Sequence, residues 1–375
     1  MATTNGIHSY TQPTNHAHTT VDDPVEVIFL GTGTSSGLPQ IDCLTAPPNS
    51  KPCRTCLSTL QPDGRKNIRR NTSVAMRVRD KDGVKRTILI DVGKTFQAAA
   101  LEWFPKYGLR KIDAVLITHA HADAMNGLDD LRGWTLRGAI QDHVDVYVSQ
   151  DTFKEVQRAF PYLVCKEFAS GGGDVSVPEF KWHIIEDKTP FQLGDTGITV
   201  KPFNGKVIFG SPVHHSATLQ GTGDIKPIQP YPCLGFIVQD TVAYISDVSH
   251  IPEEVWDFIK PPSDKPGPSV LILDCLKLKT HTSHLGFGDA VEYARRFDAQ
   301  RTYLIGFGHE VSHDEYITLG EAVGGKIKSE AELTENEKLG LAAIKEGKQI
   351  WLRPSFDGLR VFVDDDGKAR DEEYN

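Results

Sequence analysis

The alternation of apolar and polar residues predicts short strands interleaved with helices. Runs rich in apolar and β-branched residues indicate strands at residues 25–30, 144–149, 234–238, 242–247 and 270–275. A hairpin is predicted over residues 71–91, with its turn at Lys81-Asp-Gly-Val84. Helical periodicity is present near residues 94–107, 150–160, 252–259 and 287–297. The strands therefore fall into two blocks, 25–118 and 180–275, each flanked by helices, which is typical of a layered α/β domain.

One of these strands leads into metal-binding chemistry. The apolar and β-branched residues 115–118 precede His119, His121 and Asp123, and residues 126–137 are then predicted to start a helix. Neutral imidazoles and a carboxylate at a strand end are the ligands that a Zn-type cation needs. The spacing therefore predicts a metal site above the sheet. The alternative is a surface loop that happens to hold two histidines.

A group of cysteines indicates a second site. Cys43 lies ten residues before the pair Cys53-Arg-Thr-Cys56. Three thiolates need one more ligand to close a tetrahedral zinc site. A redox pair is the alternative, although no thioredoxin-like βαβ pattern surrounds it. Since no secretory signal is visible, we expect all six cysteines to be reduced.

Composition narrows the classes of partner. The 375 residues carry a formal net charge of −9, which argues against general nucleic-acid binding. No run of 18 apolar residues predicts a membrane span. We therefore expect a cytoplasmic protein, with the nucleus as the alternative compartment, and neither a membrane nor a stable nucleic-acid partner. The oligomeric state is open, a homodimer being one option.

The His-x-His-x-Asp motif resembles the signature of the metallo-β-lactamase-fold hydrolases, and further motifs follow in that family's order. They are Phe29-Leu-Gly-Thr-Gly33, Asp91 after a strand, His215 in Val213-His-His-Ser216, and Asp247 in Ser-Asp-Val-Ser. The closest branch is the phosphoribosyl 1,2-cyclic-phosphate phosphodiesterase-like group, on the basis of Gly127-Leu-Asp-Asp-Leu-Arg132, the cysteines and His284. The resemblance covers about residues 25–316 and a closing strand. It implies a four-layer αββα sandwich with the metal site at one edge, and the two strand blocks support this fold.

The resemblance also implies roles for individual residues. The expected ligands of a catalytic Zn²⁺ are His119, His121 and His215, with Asp247 as a shared carboxylate and Asp123 toward a second metal. His309 would complete a structural zinc site with Cys43, Cys53 and Cys56, and Asp91 would orient the metal-binding histidines.

Two positions depart from the family pattern. Ala124 and Gly306 stand where the family has histidine ligands of the second metal. Either one Zn²⁺ generates the hydroxide, or a second, oxygen-preferring ion such as Mn²⁺ binds weakly at Asp123 and Asp247. His284 is the candidate catalytic acid or phosphoryl contact. A helix-capping or surface histidine is the alternative role for His284.

These observations predict a metal-dependent phosphodiesterase that opens a small cyclic nucleotide or sugar phosphate with a metal-bound hydroxide. A degenerate hydrolase acting as a binding module is one alternative, and a nuclease of the transfer-RNA-processing type is another. The hydrolase domain is predicted at 25–363, with insertions near 217–232 and 317–348. A disordered tail is predicted at 1–24 and an acidic tail at 364–375.

Overall fold

The computed structural model describes residues 23–168, 177–207, 231–261 and 266–374. The strands in these ranges are β1 (Val25–Gly31), β2 (Ser73–Arg79), β3 (Lys85–Ile90), β4 (Ala114–Leu116), β5 (Val144–Ser149), β6 (Phe180–Ile185), β7 (Phe191–Gln192), β8 (Thr199–Val207), β9 (Tyr231–Val238), β10 (Val242–Ile245), β11 (Val270–Asp274), β12 (Arg301–Ile305), β13 (Leu352–Pro354), β14 (Arg360–Val363) and β15 (Ala369–Asp371). The α-helices are α1 (Ile41–Leu44), α2 (Arg54–Ser58), α3 (Phe96–Tyr107), α4 (Ala122–Met125), α5 (Arg132–Thr135), α6 (Gln150–Ala159), α7 (Pro161–Val164), α8 (Glu253–Ile259), α9 (Phe287–Phe297), α10 (His313–Val323) and α11 (Glu335–Ala343).

The strands form two mixed sheets. The first sheet has eight strands in the order β15-β14-β1-β2-β3-β4-β5-β6, and the second has seven in the order β13-β12-β11-β10-β9-β8-β7. Neighbouring strands from β3 to β6 and from β10 to β13 are parallel, and the remaining pairs are antiparallel. Parallel neighbours end at the same edge of their sheet, so the residues after β4, β10, β11 and β12 can be brought together there.

Three apolar layers hold the sandwich together. The central layer lies between the sheets and includes Val27, Ile90 and Phe236. A second layer packs α3 and α6 onto the first sheet, and a third packs α8, α9 and α10 onto the second sheet. Burial on both faces explains why the strands read as continuous apolar runs. The four-layer αββα fold expected from the sequence is confirmed.

Capping residues set the ends of several helices. Ser149 caps α6 by accepting a hydrogen bond from Thr152 N at 3.1 Å. Ser312 and Glu315 form a reciprocal capping box at the start of α10. Gly108 ends α3 in the left-handed conformation at φ 64°. No helix in the described ranges is both long and apolar enough to cross a bilayer.

The single helix predicted at 126–137 is wrong. The chain forms α4, a 3₁₀ turn at Asp129–Leu131 and α5 instead. Gly127 N donates to Val92 O at 2.8 Å, and a Cβ at Gly127 would lie 2.5 Å from Gly93 O. This close backbone contact ties the segment to the loop after β3 and interrupts regular helix geometry.

The C-terminal segment also differs from its prediction. Residues 364–375 do not form a tail over the part described, because Ala369–Asp371 is the edge strand β15. The carboxylate of Asp371 is buried and accepts from Tyr303 OH at 2.6 Å and from Arg301. The predicted closing strand is in fact two strands: β13 lies in the second sheet and β14 lies in the first. Helices α10 and α11 occupy much of the insertion predicted at 317–348. Of the tail predicted at 1–24 and the insertion predicted at 217–232, residues 1–22 and 217–230 lie outside the described residues.

Candidate metal centre

Two histidines and one aspartate converge at the strand-end edge. The buried His119 and the partly exposed His121 follow β4, and Asp247 follows β10 at φ 53°. His119 Nε2 lies 3.3 Å from Asp247 Oδ2, and His121 Nδ1 lies 4.0 Å from the same oxygen. The ligand atoms of all three lie within 4.8 Å of one another. The structure thus brings together three of the residues that the sequence assigned to the catalytic metal.

A buried hydrogen-bond relay fixes the orientation of His119. The Thr118 hydroxyl lies 2.9 and 3.0 Å from the two carboxylate oxygens of Asp91 and 2.7 Å from His119 Nδ1. When the hydroxyl donates to Asp91, it accepts from Nδ1–H, so Nε2 carries the lone pair. Nε2 is buried and lies 3.3 Å from Asp247 Oδ2, but it makes no properly directed hydrogen bond. A buried, unpaired nitrogen aimed at a carboxylate fits a divalent cation.

The charges of this cluster depend strongly on one another. Burial would raise the pKa of Asp247, but His119 and His121 hold it well below its usual range. Burial likewise opposes a charge on His119, yet Cys233 and Asp247 raise the pKa of its imidazole well above the ordinary value. Burial raises the pKa of Asp91 to about 7. When no cation is bound, a proton on His119 balances the negative charge of Asp247. A cation bound at this position would balance that charge instead.

A second group lies beside the first and shares Asp247 with it. Asp274, at the end of β11, is fully buried, and its Oδ2 lies 2.9 Å from His284 Nδ1. Asp247, Asp274 and His284 also offer ligand atoms within 4.8 Å of one another. Burial would lower the pKa of His284, but Asp274, Asp247 and Asp123 raise it to about 9.

The remaining positions of the predicted centre are placed as follows. Asp123 begins the first turn of α4, and its charge acts on His284, but it joins no candidate ligand cluster among the described residues. Ala124 is buried. Gly306 has φ 80°, and a Cβ there would lie 2.4 Å from Asp274 Oδ1. His215 lies outside the described residues.

The cysteine cluster forms at a separate place. His309 Nδ1 lies 3.2 Å from Cys43 Sγ and 3.7 Å from both Cys53 Sγ and Cys56 Sγ. All four ligand atoms lie within 4.8 Å of one another. Burial, reinforced by the two neighbouring thiols, raises the pKa of Cys43 to about 12. Three thiols gathered around one imidazole nitrogen suit a closed tetrahedral site.

Among the residues that contact the histidines, Tyr231 and Thr118 were not predicted from the sequence, and neither was Cys233, whose Sγ lies 3.6 Å from His119 Nδ1. The ring of Tyr231 stacks on that of His121, with centroids 5.0 Å apart and planes at 17°. The hydroxyl of Tyr231 accepts from Ala120 N at 3.1 Å. Thr118 was read only as a strand residue. Neither tyrosine nor threonine carries a signal of its own, although a hydroxyl directly before the first histidine of the motif could have drawn attention to Thr118.

Comparison with known proteins decides the family. Residues 86–307 match the family model for the beta-lactamase superfamily domain. The chain belongs to the beta-lactamase superfamily. This superfamily member is 27% identical over 296 residues to an octanoyltransferase from Porphyromonas gingivalis. The alignment covers 78% of this chain and 48% of the relative, so the chain spans about half the length of the curated relative it matches.

Solved structures show the same fold. A diphosphatase from the PhnP family has a TM-score of 0.57 at 23% identity, covering 90% of this chain and 96% of its own. The metallo-beta-lactamase fold protein YhfI from Bacillus subtilis has a TM-score of 0.52 at 14% identity, covering 90% and 99%. Unliganded yeast PDE1 has a TM-score of 0.52 at 11% identity, covering 91% and 100%. The chain therefore has the metallo-β-lactamase fold, and this fold implies divalent-metal binding.

Proposed function

We propose that this protein is a metal-dependent phosphodiesterase, a hydrolase that opens a small cyclic nucleotide or sugar phosphate. The observation that carries the proposal is the convergence of His119, His121 and Asp247, with His119 Nε2 buried and unpaired. The pair Asp274 and His284 adds a polar group beside this cluster, where a leaving oxygen would need one. The similar fold of a diphosphatase is consistent with a phosphorus substrate.

His119, His121 and Asp247 are the proposed ligands of a catalytic Zn²⁺, together with His215. A bound Zn²⁺ supplies Lewis acidity and lowers the pKa of water, so that hydroxide is available near neutral pH. Asp91 and Thr118 keep His119 in the tautomer that a ligand requires.

The proposed reaction adds water across one ester bond of the ring. The water oxygen bonds to phosphorus, the ring P–O bond breaks, and the freed sugar oxygen takes a proton, leaving a phosphomonoester and a hydroxyl group. We assign His284 to the phosphoryl group and its leaving oxygen, which it can serve as a proton donor or as a hydrogen-bonding contact. Asp274 fixes the ring, because its Oδ2 accepts from Nδ1 and leaves Nε2 for this task.

The other cluster has a structural role in this proposal. Cys43, Cys53, Cys56 and His309 are the proposed ligands of a structural zinc, because together they fill the four positions of a tetrahedron. Such a site joins the segment after β1 to the loop after β12.

The test is an assay of 2′,3′- and 1,2-cyclic phosphates with added Zn²⁺ or Mn²⁺. The wild type should open at least one of them, and His121→Ala should lower kcat/KM by about 10²–10³-fold or more, the range for losing a group that stabilises transition-state charge. His143→Ala is the matched control, since His143 is a partly exposed histidine paired with Asp145. No turnover of any phosphodiester, with His121→Ala indistinguishable from wild type, would favour a binding module instead.

Two further substrate classes belong in the same assay. Octanoyl esters are a second candidate, because the octanoyltransferase relative aligns over 78% of this chain. Structured RNA tests the nuclease alternative. The net charge of −9 supports a small-molecule substrate, and low-salt RNA binding that weakens steeply with added salt would contradict it.

A further inference from the structure

A groove opens beside the loop that connects β11 to α9. Its volume is about 680 Å³, which lies within the range of small-molecule binding sites. The walls come from four segments: residues 277–280 after β11, the first turn of α9, residues 310–311 after β12, and α11 with the residues that follow it. The described residues that line it include no ligand of the histidine or the cysteine cluster, so the groove is a separate site.

Three lysines give this groove a positive rim. Lys277 and Lys279 lie two residues apart on the loop after β11, and Lys345 follows α11. Lys345 Nζ already lies 2.8 Å from Glu292 Oε1. Among the residues that the structure describes, neither Lys277 nor Lys279 forms an ion pair. These two ammonium groups can therefore pair with a negative group that enters the groove.

Two carboxylates also line the groove and reduce its positive charge. Asp289 belongs to the start of α9, where its Oδ2 accepts from the Thr280 hydroxyl at 2.8 Å and from Gly286 N at 3.2 Å. Glu310 lies where the groove meets the space beside the cysteine cluster, since it lines both. Because Asp289 is already hydrogen-bonded, Glu310 is the carboxylate that would compete with a bound anion for the lysines.

Much of the remaining lining is aliphatic. Leu278 and Val311 are buried in the wall, and Leu339 of α11 is 54% exposed. A leucine more than half exposed within a groove presents apolar surface that a ligand can remove from water. No aromatic ring occurs among the described lining residues, so the groove offers no stacking surface for a nucleobase. The lining therefore suits a hydrocarbon chain better than a nucleoside.

We propose that this groove binds an aliphatic anion, with its charged head on Lys277 and Lys279 and its hydrocarbon chain along Leu278 and Leu339. The lysines account for the charge of the ligand, and the aliphatic wall accounts for its chain. The groove shares the loop after β11 with His284 and so lies beside the metal centre without being part of it. Because no proposed metal ligand lines it, the site does not depend on the proposed function.

The experiment is isothermal titration calorimetry of the full-length protein with decanoate, using acetate and decylammonium as reference probes. Decanoate should bind at least about 100-fold more tightly than acetate, because acetate lacks the methylene groups that the aliphatic wall would bury. Decylammonium has a similar chain with the opposite charge, and it should bind about 10-fold more weakly than decanoate. Decanoate binding no tighter than that of either reference probe would overturn the proposal.

Substitutions in the lining test where decanoate binds. Replacing both lysines, Lys277→Ala with Lys279→Ala, should weaken binding about 10-fold, as expected for two partly exposed ion pairs, and Leu339→Gln should weaken it several-fold. Glu310→Gln should instead strengthen binding, because it removes the competing carboxylate. Lys326→Ala is the matched control, since Lys326 is an exposed lysine outside the groove and its variant should bind like the wild type.

His121→Ala separates the groove from the metal centre, since a carboxylate can also bind to a metal ion. Unchanged decanoate binding in His121→Ala, together with weaker binding in the double lysine variant, would support the groove. Decanoate binding that is lost in His121→Ala, or retained in full by the double lysine variant, would overturn it. None of these measurements requires turnover of a cyclic phosphate, so failure of this site and failure of the proposed function can be told apart.

Discussion

The two ligand clusters of this molecule differ in completeness. The cysteine cluster gathers four donors from three cysteines and His309, and it leaves no open position in a tetrahedron. The histidine cluster has carboxylate and imidazole donors, a partly exposed His121, and the neighbouring group of Asp274 and His284. A closed set of soft donors favours stability, whereas an open set with oxygen donors leaves a place for a substrate. The proposed chemistry therefore belongs at the histidine cluster.

The two clusters are connected through one loop. Gly306, next to Asp274, and His309, in the cysteine cluster, are three residues apart after β12. The fully buried Arg69 holds this loop by donating to the carbonyl oxygens of Gly308 and Val311, the latter at 3.0 Å. Disturbing the cysteine cluster should therefore also affect the sheet edge that holds the histidine cluster.

The largest expected effect comes from opening the closed cluster. Cys56→Ser should remove about one equivalent of zinc and lower the free energy of unfolding by several kcal/mol, because structural zinc contributes its binding energy directly to folding. Metal analysis and chemical denaturation measure both quantities. Cys165→Ser is the matched control, since Cys165 is a partly buried free thiol outside the cluster. Unchanged zinc content in Cys56→Ser would rule out this role.

A smaller effect should follow from breaking the relay behind His119. Thr118→Val removes the hydroxyl that links Asp91 to His119 Nδ1, and zinc affinity at the histidine cluster should fall by about 10–100-fold. Thr118→Ser keeps the hydroxyl and should stay close to the wild type. Competition with a chelator gives the affinity, and the proposed zinc site of the cysteine cluster, which this substitution leaves intact, serves as an internal reference. Equal zinc affinities of Thr118→Val and Thr118→Ser would show that the relay does not contribute to zinc binding.

The smallest effect should come from the ring that stacks on His121. Tyr231→Leu removes a stacked aromatic contact worth about 0.5–1.5 kcal/mol, so zinc affinity should fall several-fold. Tyr231→Phe retains the ring, and its comparison with the wild type isolates the hydrogen bond from Ala120 N. The same chelator competition measures all three proteins. Wild-type zinc affinity in Tyr231→Leu would show that Tyr231 lines the site without contributing to zinc binding.

The sequence predicted what depends on local spacing. His119 and His121 are two residues apart at the end of an apolar strand, and Cys53 and Cys56 are three apart at the start of a short helix. Such spacings place side chains together whatever the rest of the chain does. The strand and helix positions were predicted for the same reason, since burial imposes a regular period on each element.

The sequence did not reveal what depends on contacts between distant elements. The contact between Asp274 Oδ2 and His284 Nδ1 depends on how the loop after β11 returns to its strand end. The space at Gly306 has a meaning only once β12 lies beside β11. The edge strand β15 was read as a tail because its charged residues look solvated until Arg301 and Tyr303 are placed against Asp371.

The position of β1 has a consequence for how this domain can assemble. Although β1 begins the described chain, it lies between β2 and β14, and Arg360 bonds to Glu26 across 334 positions. Loop-closure entropy opposes such a distant pairing, and the first sheet cannot be completed until residues 360–363 have been synthesised. During translation one edge of β1 therefore stays unpaired for almost the whole length of the chain. We therefore expect pairing of β1 with β14 to be a late step in the folding of this sheet.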